Sequence, residues 1–163
     1  MKISLMWMTR KRSSELIYSV CSFLHKAVDN KNIEYIFITD PDDEETPAAL
    51  NKIVNMAHAN HAELIHIVAE EKFGYKSLEQ YQNTVAKVFT GECLIAIADD
   101  NICIDNGWDE KLRKELLERQ HEPAWIAITP LNEYWKGYAG VIGINREWYN
   151  RTKRFSGSRA ADM

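Results

Sequence analysis

The sequence predicts a three-layer α/β/α sandwich with a mostly parallel central sheet, and three observations carry that expectation. Short apolar runs alternate four times with segments whose apolar residues recur at helical spacing. The early runs are near-continuously apolar, the pattern of strands covered on both faces. Capping residues, Pro and Gly fall between the runs, where helix ends are expected. No internal repeat, low-complexity tract or linker interrupts the chain, so a single domain over residues 1–163 is expected.

The first run, "ISLMWM" at 3–8, reads as a buried strand. Leu16, Ile17, Val20, Phe23, Leu24, Ala27 and Val28 then follow helical spacing, with Ser13 placed to cap the helix and Glu15 suited to its first turn. "IEYIFIT" at 33–39 is rich in β-branched and aromatic residues and predicts a second strand. Thr46-Pro47 marks the next helix start, after which Leu50, Ile53, Val54 and Ala57 form one apolar face. "ELIHIVA" at 63–69 is the third strand. The "SLEQ" segment from Ser77 to Gln80 fits a capping box, and Leu78, Tyr81, Val85, Val88 and Phe89 continue the helix to a stop at Gly91. "CLIAIA" at 93–98 is the fourth strand, followed by a helix from about Asp109 to Arg119 and a strand "WIAIT" at 125–129. "PLNEYWKG" reads as a loop, "YAGVIGI" at 138–144 as a strand, and "REWYNRTK" as a short helix that Asn145 can cap.

Composition narrows the class of function. With 45% hydrophobic and 27% charged residues, the chain has the make-up of a soluble globular protein. No apolar run approaches the roughly 20 residues needed to cross a bilayer, and the N-terminus lacks a signal-peptide pattern. Cys21, Cys93 and Cys103 are odd in number and show no CxxC spacing, which predicts free thiols and a cytoplasmic location. A net charge of −4 argues against direct nucleic-acid binding. Basic residues cluster at Arg10, Lys11 and Arg12 and again at Arg146, Arg151, Lys153, Arg154 and Arg159, while acidic ones gather in "DPDDEE" and around Asp99. Such a division suits an anionic ligand held together with a cation.

In open parallel sheets, ligands sit beyond the carboxyl ends of the strands. The first strand ends in Thr9-Arg10-Lys11-Arg12, the second in Asp40-Pro41-Asp42-Asp43, and the fourth in Asp99-Asp100-Asn101. The "MTRKRSS" turn has no glycine, which excludes the dinucleotide fingerprint, and no P-loop occurs. An acidic strand end suits a hard cation, Mn²⁺ or Mg²⁺, bound through oxygens. The same triplet also occurs as a plain turn or helix cap. His58 and His61 fall at a helix end and His66 in a strand, so they read as surface or core residues. Trp125 and Trp148 read as core, whereas Tyr134 and Trp135 fall in a loop suited to an acceptor-binding side. Gly137, Gly140 and Gly143 permit a bulge or a close backbone approach.

Taken together, "ISLMWMTRKRSSEL", "YIFITDPDDEET", "TGECLIAIADDNICIDNGWDEKL" and "YAGVIGINREWYN" resemble the GT-A fold glycosyltransferases, in particular the large inverting family 2 that uses nucleotide sugars. The resemblance covers most of the chain. It implies that Thr9, Arg10, Arg12, Asp40 and Asp42 face a nucleotide-sugar donor. Asp99, Asp100 and Asn101 would stand where the family's DXD metal motif lies, with Asp99 and Asp100 also meeting the donor. Two departures stand out: Asn101 replaces the second Asp of that motif, and the chain ends soon after "GINREWYN". Asp162, just after a stretch of small residues, is the candidate catalytic base. A minimal enzyme, a partial chain and a domain that has lost catalysis all remain open, the last serving as an inert binding or assembly module. Nucleotidyl transfer is a further alternative, but it would normally show a glycine-rich first loop.

Overall fold

The apolar run Ile3–Met8 forms β1, the strand about which the rest is arranged; the computed structural model describes residues 1–119, 121–128 and 141–156. β2 (Ile33–Thr39), β3 (Glu63–Val68), β4 (Cys93–Ile97), β5 (Trp125–Ile128) and β6 (Val141–Asn145) complete one sheet in the order β3-β2-β1-β4-β6-β5. The first four strands in chain order are mutually parallel, and β6 runs antiparallel to both β4 and β5. Trp7 pairs with both Phe37 and Ile97 in register, so β1, β2 and β4 end nearly level. The loops that follow them therefore open at one edge.

Among the described residues, five α-helices flank the sheet: α1 (Ser13–Lys26), α2 (Thr46–Ala59), α3 (Leu78–Ala86), α4 (Trp108–Glu118) and α5 (Arg146–Thr152). Strand side chains alternate between the two faces. Ile3, Leu5 and Trp7 pack with residues of α1, α2 and α4, including Leu16, Val20, Leu50, Ile53 and Trp108. Met6, Ile36, Ile38 and Leu94 pack on the other face with Tyr81, Val85, Ile144 and Phe155. Trp7 anchors the first core. Its ring stacks on Tyr35 and Phe37 at centroid distances of 5.8 and 5.4 Å, and its Nε1 donates to Ser19 Oγ at 3.0 Å. The expected α/β architecture is thus present, with β6 reversed.

Several local expectations need correction. Ser13 is the first residue of α1 rather than its cap, and its hydroxyl is buried without a partner among the described residues. Ser77 makes no capping bond, because a 3-10 turn at Tyr75–Ser77 leads directly into α3. At α2 the cap comes from farther back: Asp43 accepts the Glu45 and Thr46 amides, each at 3.1 Å. Gly91 does not stop α3, which ends at Ala86. Its requirement is a close approach to β1, since a Cβ there would lie 2.8 Å from Ser4 N and 2.9 Å from Lys2 O. Gly143 meets the same constraint against Leu94 O at 2.8 Å. Trp125 is 43% exposed on the outermost strand, its ring edge-on to Trp148, and is not core. Asn145 does cap α5, accepting Trp148 N at 2.9 Å. Cys93 and Cys103 are buried free thiols, and Cys21 is free and half-buried.

Candidate donor-binding site at the carboxyl edge of the sheet

The turn after β1 straddles two neighbours because β1 lies between β2 and β4. Lys11 adopts a left-handed backbone, φ 52°, costing about 1 kcal/mol. Its amide donates to Asp43 Oδ2 at 3.2 Å, tying the turn to the start of α2. The two arginines on either side of Lys11 reach opposite ways. Arg10 Nη1 donates to Asp40 Oδ2 at 2.7 Å, and its Nη2 donates to Asp42 Oδ2 at 2.9 Å. Arg12 Nη1 donates to Asp99 Oδ1 at 2.7 Å, while its Nη1 and Nη2 each lie 3.4 Å from Asp100 Oδ2. Thr9 Oγ1 donates to the other oxygen of Asp99 at 3.1 Å.

Burial separates these carboxylates. Asp40 and Asp99 are buried, whereas the side chains of Asp42 and Asp100 are about half exposed, at 53% and 55%. Removal from water pushes the Asp99 carboxyl up, although Arg12 and Thr9 favour its charged form. The Arg10 guanidinium holds Asp42 far below the usual carboxylate range, and the pairing raises Arg10 in turn through Asp42 and then Asp40. Lys72 reaches Asp42 Oδ2 at 3.6 Å on the rim. Even with Lys72, the carboxylates of Asp40, Asp42, Asp99 and Asp100 outnumber the cations that face them.

Two features were not anticipated from the sequence. Tyr81, a core position by spacing, donates its hydroxyl to Asp40 Oδ1. The Tyr81 hydroxyl oxygen in turn accepts the amides of Phe73 and Gly74 at 3.0 and 3.1 Å, so α3 links Asp40 to the chain after β3. Only the tyrosine's polar tip carries this role, and its partner lies 41 residues away. Asn101 Oδ1 accepts Ala98 N at 3.0 Å, and Asn101 N donates back to Ala98 O at 3.0 Å, closing a turn at the end of β4. That bond leaves one oxygen lone pair for another partner.

The predicted site residues therefore separate into three groups. Thr9, Arg10, Arg12, Asp40, Asp42, Asp99, Asp100 and Asn101 come together at the carboxyl edge. Arg146 of the second basic cluster does not join them, and Arg159 lies outside the described residues. β6 runs backwards, so Arg146 follows it at the amino edge, where its guanidinium donates to Phe89 O at 3.0 Å and lies over the Phe89 ring. Asp162, Tyr134 and Trp135 lie outside the described residues. His66 hydrogen-bonds Thr39 at 2.9 Å, and among the described residues no group of three or more His, Cys, Asp or Glu side chains is gathered as if for a metal.

The donor set suits a hard cation in part. Asp99 and Asp100 face a single positive group, the Arg12 guanidinium, and these two carboxylates would be the residues to hold a cation. Two neighbouring carboxylates supply the oxygen donors that a hard cation would take.

No family model matches the sequence, and no curated protein resembles it closely enough to match. Solved structures are similar in fold. The mannosyltransferase PcManGT from Pyrobaculum calidifontis, in complex with GDP-Man and Mn²⁺, superposes with a TM-score of 0.77 at 13% identity, over 95% of this chain and 47% of that one. S. aureus TarS 1–349 gives a TM-score of 0.70 at 13% identity, over 97% of this chain and 51% of that one. Mouse xyloside xylosyltransferase 1 gives 0.54 at 11% identity, over 93% and 69%. The fold is the GT-A type of these glycosyltransferases, and the chain spans about half the length of the first two. Among the described residues, no helix is long and apolar enough to cross a membrane.

Proposed function

We propose that this chain binds a nucleotide-sugar donor at the carboxyl edge of its sheet and serves glycosyl transfer to an acceptor, with a divalent cation, Mn²⁺ or Mg²⁺. The observation that carries the reading is the double ion-pair cluster, Arg10 with Asp40 and Asp42, and Arg12 with Asp99 and Asp100, at the mouth of a GT-A-type sheet. Structures with the same fold hold GDP-Man with Mn²⁺ in one case and UDP-GlcNAc in another. Asp40, fixed by Tyr81 and Arg10, would accept hydrogen bonds from the nucleoside, while the guanidiniums of Arg10 and Arg12 suit phosphate through their forked donors.

Asp99 and Asp100 would hold the cation, with Asn101 as a neutral oxygen donor. Bound there, the metal would supply Lewis-acid stabilisation of the charge on a leaving diphosphate. In an inverting displacement a base takes the acceptor hydroxyl proton, the acceptor oxygen bonds to the anomeric carbon, and the bond from that carbon to the diphosphate breaks. Asp162 is the proposed base, and Tyr134 and Trp135 the proposed acceptor side. A cytoplasmic location and one domain over 1–163 belong to the same proposal.

The test is a thermal shift with UDP-, GDP- and CDP-sugars, with and without Mn²⁺. Metal-dependent stabilisation by one of them, followed by slow donor hydrolysis, is the expected result. Stabilisation without turnover points to an inert donor-binding domain, a second reading favoured by the neutral Asn101 at the motif's last position. No shift with any nucleotide sugar overturns both.

A further inference from the structure

The cation that faces Asp99 and Asp100 is part of the chain itself. Arg12 lies 2.7 Å from Asp99 and 3.4 Å from Asp100, so it already occupies the pair that a metal would need. Its side chain is 43% exposed, on the turn just before α1, and its other acidic neighbour is Glu15, 3.9 Å away in the first turn of that helix. Among the described residues, the polar partners of the guanidinium are the carboxylates of Asp99, Asp100 and Glu15. Asp99, in contrast, is fixed by its burial and by Thr9. Of the two partners, Arg12 is the one free to move.

A cation entering from water must displace this guanidinium and bring two positive charges close together. Both costs fall if an anion arrives at the same time, because Arg12 can then exchange a carboxylate for a phosphate, an equally good bidentate partner. Resting on the donor-site reading above, we infer that Arg12 is an exchangeable internal counter-ion. The site then takes its divalent cation as a complex with a nucleoside diphosphate, and free metal binds poorly. Arg10 has no such freedom, since both of its partners lie on the β2 side and neither belongs to the metal pair.

The test measures Mn²⁺ binding to the full chain by calorimetry and by the electron-paramagnetic signal of free Mn²⁺, for the parent, Arg12→Gln, Arg12→Lys and Asp99→Asn. Without nucleotide, Arg12→Gln should bind Mn²⁺ about fivefold more tightly than the parent, the scale of one partly exposed ion pair. Arg12→Lys, which keeps the charge, should stay close to the parent. With UDP or GDP present, the order should reverse, because the parent gains an arginine–phosphate contact that Arg12→Gln lacks. Melting curves of the metal-free variants check that each is folded. If the parent binds Mn²⁺ through Asp99 but Arg12→Gln binds it no more tightly, the exchange is wrong and the donor site stands. If Asp99→Asn and the parent give the same Mn²⁺ isotherms with and without nucleotide, the donor-site reading fails, and the exchange fails with it.

Discussion

The two edges of the sheet use similar residues to opposite ends. At the amino edge, Glu34 is fully buried, and every bond it makes is internal: it accepts Thr90 N at 2.6 Å, Thr90 Oγ1 at 2.7 Å and the Ser4 hydroxyl, with Lys2 3.0 Å away. Asp109, also fully buried, accepts the Val28 and Asp29 amides at 2.9 and 3.0 Å and pairs with Arg113 at 2.6 Å. Arg146 donates to backbone carbonyls of the segment before β4. Each of the three residues is bound to backbone groups, which cannot leave, and Glu34 also holds two hydroxyls on neighbouring segments. At the carboxyl edge the partners are side chains facing side chains, half of them exposed, on loops rather than strands. Exchangeable partners make a site, whereas fixed ones make a joint.

The largest effect expected from this contrast is at Glu34. Replacing it with Ala would leave the Thr90 amide and both hydroxyls without their acceptor, at a cost of about 3 kcal/mol in a urea melt. Nucleotide binding by the folded fraction should not change. The pH profile follows from the same residues. Burial alone would raise the Glu34 and Asp109 carboxyls, but their hydrogen bonds outweigh it and hold both below the ordinary value. A depressed folded pKa contributes stability above the unfolded value, and that stability is lost as the pH falls through the folded one. Acid should therefore unfold the protein from about pH 4.5 downward. Glu34→Gln should flatten that limb, and an unchanged acid limb would remove Glu34 from the joint.

Much of the fold was legible because the strands are short, apolar and strictly separated. Residues 3–8, 33–39 and 93–98 needed only their hydropathy to be placed, and the site residues followed from the rule about strand ends. What could not be read depends on partners far away in sequence. The direction of β6 decides that Arg146 lies at the amino edge, yet a basic residue after an apolar run looks the same at either edge. Trp125 looks like core because it is large and apolar, and only its place on the outermost strand exposes it. The Asp43 cap of α2 is different, because it follows the ordinary local pattern of an Asp accepting the amides two and three residues on and was legible in the sequence.

At the carboxyl edge the next largest effect is on ligand binding. Asp40→Asn keeps an oxygen for the Tyr81 hydroxyl but loses the charge that Arg10 faces. It should weaken nucleoside diphosphate binding about tenfold by calorimetry, the loss of a charge-assisted hydrogen bond, while the melting temperature moves by a few degrees at most. Undiminished affinity would remove Asp40 from the site.

Asp99→Asn sharpens the comparison by its sign. Burial raises the Asp99 carboxyl, so its charge weakens the metal-free fold above the unfolded pKa, opposite to Glu34. Asn at this position can still accept from Thr9 and should raise the metal-free melting temperature slightly at pH 7, with the gain disappearing in acid. The same variant should lose all Mn²⁺-dependent stabilisation. A site residue that is improved for folding by its removal, and ruined for binding, is the mark of an edge built for a ligand.

The smallest effect should come from Asn101→Asp, the change that would complete the DXD pattern the sequence resembles. Its Oδ1 accepts Ala98 N, and an aspartate oxygen accepts that amide equally well, so the turn at the end of β4 should survive. The variant differs mainly by one negative charge beside Asp100. Without a cation, that charge adds repulsion at the mouth and should lower the melting temperature by a degree or two. With a nucleoside diphosphate and Mn²⁺ present, it should tighten metal binding two- to threefold, a modest gain because position 101 is only half-buried, so solvent screens it, and its near oxygen is held in the turn. Melting curves of parent and variant, each with and without Mn²⁺ and UDP or GDP, separate this from a plain turn residue. In a plain turn the variant would melt lower under all four conditions by the same amount, and Asn101 would belong with the fixed joints of the amino edge.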